Sequence, residues 1–428
     1  MTKKKLLIVC YYYPPCNAVG SLRIKSFSDY LKSDFDITVM SRHWDGSEAS
    51  WDDYIYDIKG EDKVSEHDGV RCLYVESKKN PMYHFFSSLN ALLILRWMRF
   101  SYFGFLALLG HIQVQVNGYL SFRKPLKELL SKEKFDVVLI SNPPQNMVRL
   151  VKPIRQYHKG GIVVDYRDLF FNRKLRSDYQ PSPYRLVLDR LYDHYQRKYL
   201  KHADHLVTIV PEFAGELHRI ISKPMSIIYN GYDKKFFQHT EEKNFKKFTV
   251  SMIGSLYPEQ DIGFMLNMIE RFVQDKSENE VQFRFVGLNS VVEVETQIKQ
   301  FKLQQYLSYE RRVSQQEAAN ETISASVLYF PAWAGYRGFI STKIFDYMAS
   351  GTPILIAPGD HNIMDQVVSE SGCGVIAHSV EEAVNRLNMF YKEWKENGKI
   401  INKGNKNYVE RYSREQQAIE LKKVLYSL

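Results

Sequence analysis

The sequence predicts an α/β protein made of two similar domains, each a parallel sheet covered by helices on both faces. Three observations carry that prediction. Short apolar runs of four to six residues alternate with amphipathic stretches along almost the whole chain, the pattern of strands buried on both sides and joined by helical crossovers. About six such runs precede residue 230 and five or six follow it. The length of 428 residues suits two or three domains, and 44% apolar with 25% charged residues is an ordinary globular composition that excludes a disordered or low-complexity chain.

In chain order, the strand-like runs of the first half are 6–10, 37–40, 137–140, 162–164, 206–210 and 226–229. Those of the second half are 249–253, 281–286, 327–330, 354–357 and 374–377. Between them, 185–200 places Leu188, Leu191, Tyr192, Tyr195 and Tyr199 at three- and four-residue steps, one apolar helix face. Ser314 with Glu317, and Ser379 with Glu382, read as capping boxes opening two more helices. The opening Lys3–Lys5 and the apolar run to Cys10 are too short for a signal peptide before the tyrosines and prolines at 11–15, so a first strand fits better.

Charge is unevenly divided. Residues 1–230 hold 34 Lys and Arg against 24 Asp and Glu, a balance of +10, and the remainder of the chain balances at −1. One basic half points to one anionic partner docking on one domain rather than to nucleic acid. Residues 84–110 are the one long apolar stretch, interrupted by Arg96 and Arg99, and neither flank reaches the roughly 18–20 apolar residues of a spanning helix. They read either as a buried helical pair or as an in-plane helix at a membrane surface, with the arginines near lipid phosphates. The four cysteines are too few and scattered for a disulfide framework or a zinc knuckle, and imply a reducing, cytoplasmic setting.

In parallel sheets ligands bind beyond the carboxyl ends of strands, so the loops 10–23, 141–145, 165–172, 254–261 and 331–342 are where chemistry is expected. The last is the most informative. A strand feeds Gly335-Tyr-Arg-Gly-Phe-Ile-Ser-Thr, then a helix over 342–350 closed by Gly351. Its start offers free N–H groups and the positive end of the dipole, which suits phosphate. Lys343 in that first turn opposes the dipole by roughly 0.3–1 kcal/mol unless an anion is bound. Asp346 shares its face and could reach ribose hydroxyls; the alternative is a solvated Lys343–Asp346 pair. After the run 161–164, Arg167 could neutralise a leaving diphosphate and Asp168 could orient an acceptor hydroxyl, or the two could simply tie loops together.

These segments resemble the retaining GT-B enzymes of glycosyltransferase family 4. Asp346-Tyr-Met-Ala-Ser-Gly-Thr-Pro353 is similar to the family's Glu-Ala-Met-Ala-Cys-Gly-Thr-Pro helix, with Asp for the Glu that contacts the nucleotide ribose. The family's other Glu, eight residues earlier, falls on Gly338. Lys5–Pro15 followed by Gly20-Ser-Leu-Arg23 looks like the first strand and its glycine loop, and Asn230-Gly-Tyr-Asp233 like the Asn-Gly-Val-Asp that opens the second domain. In the loop after the run 249–253, the two diphosphate-binding cations of the family fall on Ser255 and Gln260, and at the strand before Arg167 the family's His falls on that arginine.

The resemblance implies two Rossmann-like domains facing across a cleft: an acceptor-binding domain at 1–229 (with 84–110 its candidate membrane-surface segment), a nucleotide-sugar domain at 230–410, and a helix at 411–428 returning to the first. It implies a donor site of Gly254, Arg337, Phe339, Ile340, Ser341, Lys343 and Asp346. Gly20, Ser21, Arg23 and Asn142 form the acceptor or phosphate loop, and Arg167 and Asp168 the catalytic pair. The expected activity is retaining hexosyl transfer from a nucleoside-diphosphate sugar, without cofactor or metal. The acceptor would be a glycan or a polyprenyl-diphosphate-linked glycan of bacterial capsule, exopolysaccharide or O-antigen, at the inner face of the cytoplasmic membrane. A nucleotide-sugar epimerase and a non-catalytic nucleotide-sugar-binding relative remain as alternatives. No Gly-x-Gly-x-x-Gly follows a strand, and Walker and His-Glu-x-x-His elements are both missing, which disfavours dehydrogenases, P-loop NTPases and zinc hydrolases.

Overall fold

A computed structural model describes residues 3–16, 18–44, 46, 62–76, 97–98, 101–102, 104–106, 118–169, 175–243, 245–257, 259–288, 292–311 and 313–428. The chain divides into two compact units. The first comprises 1–174, 179–229 and 417–428; the second comprises 175–178 and 230–416.

The first unit is built on an eight-stranded sheet in the order β3-β4-β2-β1-β5-β6-β7-β8. Its strands are β1 (Lys4–Cys10), β2 (Phe35–Arg42), β3 (Lys63–His67), β4 (Val70–Val75), β5 (Val137–Asn142), β6 (Gly161–Tyr166), β7 (His205–Thr208) and β8 (Met225–Ile227). All neighbours are parallel except the β3–β4 hairpin, which the apolar-run pattern does not predict. Helix α1 (Val19–Leu31) follows β1, α2 (Gly118–Lys132) precedes β5, α3 (Val151–Tyr157) precedes β6, α4 (Pro183–Leu200) precedes β7 and α5 (Pro211–Ile220) precedes β8. Leu6, Ile8, Ile37, Val39, Val137 and Leu139 fill the core with Ile24 and Phe27 of α1. Ala418, Leu421, Val424 and Leu425 at the carboxyl end of the chain join the same core, and Lys422 pairs with Asp34 at 2.5 Å.

The second unit carries a six-stranded, all-parallel sheet in the order β11-β10-β9-β12-β13-β14. Its strands are β9 (Phe248–Ile253), β10 (Val281–Val286), β11 (Leu307–Glu310), β12 (Val327–Phe330), β13 (Ile354–Ile356) and β14 (Gly374–Ile376). The helices are α6 (Ile262–Val273), α7 (Val292–Lys299), α8 (Gln315–Ser324), α9 (Thr342–Ser350), α10 (Ile363–Ser371), α11 (Val380–Asn397) and α12 (Lys406–Glu410); α13 (Arg414–Tyr426) follows. The capping box at Ser314 and Glu317 forms as the sequence predicts, with both reciprocal bonds present. Ser379 caps α11 through the Glu382 N–H. Phe248, Phe272, Phe283, Tyr391 and Trp394 make the aromatic centre of this unit's core.

Strand order fixes where each unit can bind a ligand. β1 leads outward to β2 on one side while β5 starts the run on its other side; β9 and β12 do the same in the second unit. Loops diverge at these switch points and leave a crevice at the carboxyl ends of the strands. Of the segment 84–110, only 97–98, 101–102 and 104–106 are described; they are helical, with Trp97, Met98 and Phe105 exposed. The rest of the segment lies outside the described residues. Among the described residues no helix is long and apolar enough to cross a membrane.

Candidate donor and acceptor sites

In the second unit the switch point between β9 and β12 gathers a cation, a carboxyl group and a glycine. Helix α9 begins at Ser341, whose hydroxyl accepts the Lys343 N–H at 3.3 Å and so caps the helix. The lysine side chain runs back over the loop after β9, where its Nζ donates to the Ser255 carbonyl at 2.9 Å. Gly254 makes room for it: a Cβ there would meet Lys343 Cε at 2.5 Å, and the backbone is left-handed with φ +93°. Tyr347, one turn along α9, accepts the Ile253 N–H at 2.8 Å and fixes the helix against the end of β9. Burial among these groups lowers the Lys343 ammonium to about 8.

Asp346 shares this face of α9 but does not pair with Lys343. Its Oδ1 is buried without a hydrogen-bond partner. Burial pushes its carboxyl up to about 7, against the pull of Arg414 and with a further push from Asp233. An unmet buried carboxyl oxygen costs roughly 1–3 kcal/mol, the kind of strain a hydroxyl-bearing ligand relieves. Arg414 and Asp233 lie 3.7 Å apart as an ion pair, and Asp233 also caps the short helix Lys234–Phe237. Neither appears among the sequence-predicted site residues. The only sequence signal was the Asn-Gly-Tyr-Asp233 stretch itself.

The remaining donor-loop residues fall into two groups. Phe339 and Ile340 are half-buried, and Arg337 is exposed. The loop is braced from two sides: Gly338 N–H donates to Asn362 Oδ1 at 2.7 Å, and Arg337 N–H to the Leu175 carbonyl at 2.9 Å. Residues 175–178 belong to this unit through that bond, the Ser177 N–H bond to Gly335 and the Arg176–Tyr336 bridge. Gln260 is 2% exposed and spends its amide inside the protein, donating to the Pro331 carbonyl and accepting the Tyr257 N–H. It ties the loop after β9 to the loop after β12.

The first unit repeats the motif with an arginine. A Cβ on Gly20, in the first turn of α1, would lie 2.3 Å from Arg167 Nη1. Arg167 is 8% exposed; its Nη2 donates to the Pro143 carbonyl at 3.3 Å and its Nε is buried without a partner. Ser21 Oγ is likewise buried and unpartnered, no side chain caps α1 and no acidic residue sits in its first turn. The Arg167 guanidinium thus lies against Gly20 in the first turn of α1, and the unpartnered Ser21 hydroxyl follows on the next residue. Asp168, half-buried beside them, has its carboxyl pushed above the usual range by burial and by Asp165, despite Arg167.

Two residues expected in this loop do other work. Arg23 is 3% exposed and forms a bidentate pair with Asp165 (2.8 and 3.0 Å), while its third nitrogen donates to the Tyr229 carbonyl at 2.8 Å. It locks α1 to β6 inside the unit. Asn142 is completely buried, its amide turned onto Pro144 and Gln145, and it holds the shape of its own loop.

Among the described residues one trio could offer metal ligands: His361, Asp365 and His378, with their donor atoms within 4.8 Å of one another. The two imidazoles stack at 3.7 Å and 11°, so their nitrogen lone pairs run side by side instead of converging. Both Asp365 oxygens already accept N–H groups, from Asp360 and His361. The trio is built as a braced turn.

Two family models match the chain and together cover more than half of it: Glycosyltransferase Family 4 over residues 108–236 and Glycosyl transferases group 1 over 247–393. A search of curated proteins gave no match. Solved structures match over nearly the whole chain. Sucrose-phosphate synthase from Thermosynechococcus elongatus is 12% identical with a TM-score of 0.66, covering 99% of both chains. Anabaena HepE in complex with UDP is 12% identical at 0.61, covering 99% of this chain and all of its own. The Arabidopsis thaliana starch synthase IV catalytic domain bound to ADP and acarbose is 12% identical at 0.59, covering 100% of this chain and 99% of its own. At that identity the structures speak for the fold, and the family models for the lineage: the chain is a glycosyltransferase of the GT-B fold and belongs to glycosyltransferase family 4.

Proposed function

We propose that the protein transfers a sugar from a nucleoside-diphosphate sugar, with retention and without a metal, to a glycan or polyprenyl-diphosphate-linked acceptor of a bacterial surface polysaccharide. The observation that carries the donor half is Lys343, its amine lodged against Gly254 at the start of α9, with the unmet Asp346 oxygen one turn away. A diphosphate on the first-turn N–H groups of α9 restores full charge to Lys343 and reverses its quarrel with the helix dipole. Ribose hydroxyls donate to Asp346. The relatives of known structure that hold UDP or ADP support a nucleotide here.

The acceptor half rests on the Arg167 guanidinium and the unpartnered Ser21 hydroxyl at the amino terminus of α1, groups that suit a phosphoryl group, and on the +10 balance of residues 1–230. Asp168 orients the acceptor hydroxyl. The bond from the anomeric carbon to the donor phosphate breaks, the acceptor oxygen bonds to that carbon on the same face, and the hydroxyl proton passes to the departing phosphate. The same charge balance supports work at an anionic, cytoplasmic membrane surface.

Thermal-shift screening against UDP-, GDP-, ADP- and CMP-sugars tests the reading. A ligand at 100 times its Kd stabilises by about 2.7 kcal/mol, and Lys343→Ala and Asp346→Ala should each abolish the shift. Stabilisation by none of the four counts against the proposal. A non-catalytic binder is the second reading, favoured by Gln260 being spent on loop closure rather than on phosphate. It gains if a nucleotide sugar binds but no nucleotide is released with lipid-linked acceptors.

A further inference from the structure

Resting on that donor site, we infer that the transferred sugar sits on an aromatic platform formed by Trp333, Phe339 and Tyr257 and is a 6-deoxy pyranose, recognised through its C–H face. Trp333 lies 5.4 Å from Phe339 and 6.1 Å from Tyr257, ring centroid to ring centroid. All three come from the loops after β9 and β12, the strands of the switch point. Beneath them Phe330, fully buried, packs against Trp333 at 5.7 Å and lies 5.8 Å from Lys343 Nζ. The platform is thus continuous with the phosphate-binding cation. It is also open: Tyr257 is 46% exposed, and Trp333 and Phe339 are half-buried. Gln260 fixes the two loops to each other, and the Gly338 bond to Asn362 fixes the far end.

The neighbours of Lys343 assign the occupant. Asp346, the ribose partner in the proposed donor site, keeps company with Arg414 and Asp233, whereas Phe330 leads from the Lys343 amine to Trp333 and on to Phe339. The group on the far side of a diphosphate from the ribose is the sugar. From Pro331 to Phe345 the chain has no Asp, Glu, Asn or Gln, so the β12 side of the platform offers no carboxylate or amide to a ring of hydroxyls; in the loop after β9, Gln260 is spent on Pro331 and Asp261 on capping α6, which leaves Glu259 as the acid near Tyr257. An aromatic face instead takes the axial C–H bonds of a pyranose, and gains most where a methyl replaces the hydroxymethyl group.

The test compares Kd values by calorimetry for UDP, GDP and dTDP alone, for their hexose conjugates and for the matching 6-deoxyhexose conjugates. In the wild type the 6-deoxy conjugate should bind about tenfold tighter than its hydroxylated counterpart. Trp333→Ala should erase that preference and weaken the 6-deoxy conjugate about tenfold, with the free nucleoside diphosphate within twofold of wild type. Trp333→Phe should retain most of it, which separates lost stacking from lost folding. Equal weakening of free diphosphate and conjugate, or no preference for the 6-deoxy sugar, would overturn the platform alone. A wild type that binds no nucleoside diphosphate would overturn the donor site and the platform with it.

Discussion

Gly254 and Lys343 occupy the same space in the second unit: the glycine's missing Cβ would stand 2.5 Å from the lysine's Cε and 2.7 Å from its Nζ. Close approach and a φ of +93° both demand glycine here. Gly254→Ala should therefore displace the amine from the start of α9. The expected result is a loss of at least tenfold in nucleotide affinity and a destabilisation of about 1–3 kcal/mol, read by calorimetry and urea melts. An alanine variant that binds nucleotide normally would show that the amine is not part of the donor site.

The opposed shifts of Asp346 and Lys343 set a pH window. In the free protein Asp346 ionises near 7 and Lys343 loses its proton near 8, and binding wants the first charged and the second protonated. Donor affinity should peak between those values and fall by up to tenfold per unit on either side. Asp346→Asn should flatten the acid limb and Lys343→Arg the alkaline limb. The stability signs follow. Asp346, raised from 3.8, costs stability above about pH 7 and none below 3.8; Lys343, lowered from 10.5, costs stability below about pH 8 and none above 10.5. Asp346→Asn should accordingly raise the Tm of the free protein at pH 8 and leave it unchanged at pH 3.5.

The Arg23–Asp165 pair makes a contrasting prediction. Both side chains are buried and two N–H bonds join them. Removing one partner leaves an uncompensated buried charge, which costs about 3–5 kcal/mol. Asp165→Asn should lower the unfolding free energy from urea melts by that amount, while nucleotide affinity of the folded fraction stays unchanged. The double variant Arg23→Met, Asp165→Leu should recover much of the loss.

Which parts of this were legible in the sequence follows from the range of the forces involved. The parallel strands were, because burial on both faces writes a continuous apolar run. The β3–β4 hairpin carried its own signal, Asp68-Gly69 with both residues left-handed at φ 53° and 77°. That signal was short-range and lay outside the apolar-run pattern, since β3 is exposed along most of its length. At the candidate sites, Lys343 draws attention in the sequence because a cation at a helix start is locally unfavourable and asks for an anion. The Asp165 partner of Arg23 is 142 residues away and leaves no local trace, and residues 175–178 could not be placed with the second unit because the backbone bonds and the Arg176–Tyr336 contact that put them there reach residues about 160 positions on. Gln260 is similar: a glutamine in a loop says nothing until the carbonyl it reaches, at Pro331, is known.

Gly20 offers the sharpest separation of function from stability. It occupies the first turn of α1, where alanine is intrinsically favoured over glycine by up to roughly 1 kcal/mol. The same substitution would place a methyl 2.3 Å from Arg167 Nη1 and expel the guanidinium from its place beside the first turn of α1. Gly20→Ala should thus leave the Tm unchanged or slightly raised, keep nucleotide affinity within twofold, and cut sugar transfer at least tenfold. Arg167→Gln should show the same loss of transfer, and Arg167→Lys a partial recovery, because an ammonium supplies the charge without the guanidinium's paired donors. Inorganic phosphate should protect the wild-type first unit from thermal unfolding and protect neither Gly20→Ala nor Arg167→Gln. Undiminished transfer by Gly20→Ala would mean that Arg167 acts in packing alone, and the anionic end of the acceptor would have to be held elsewhere.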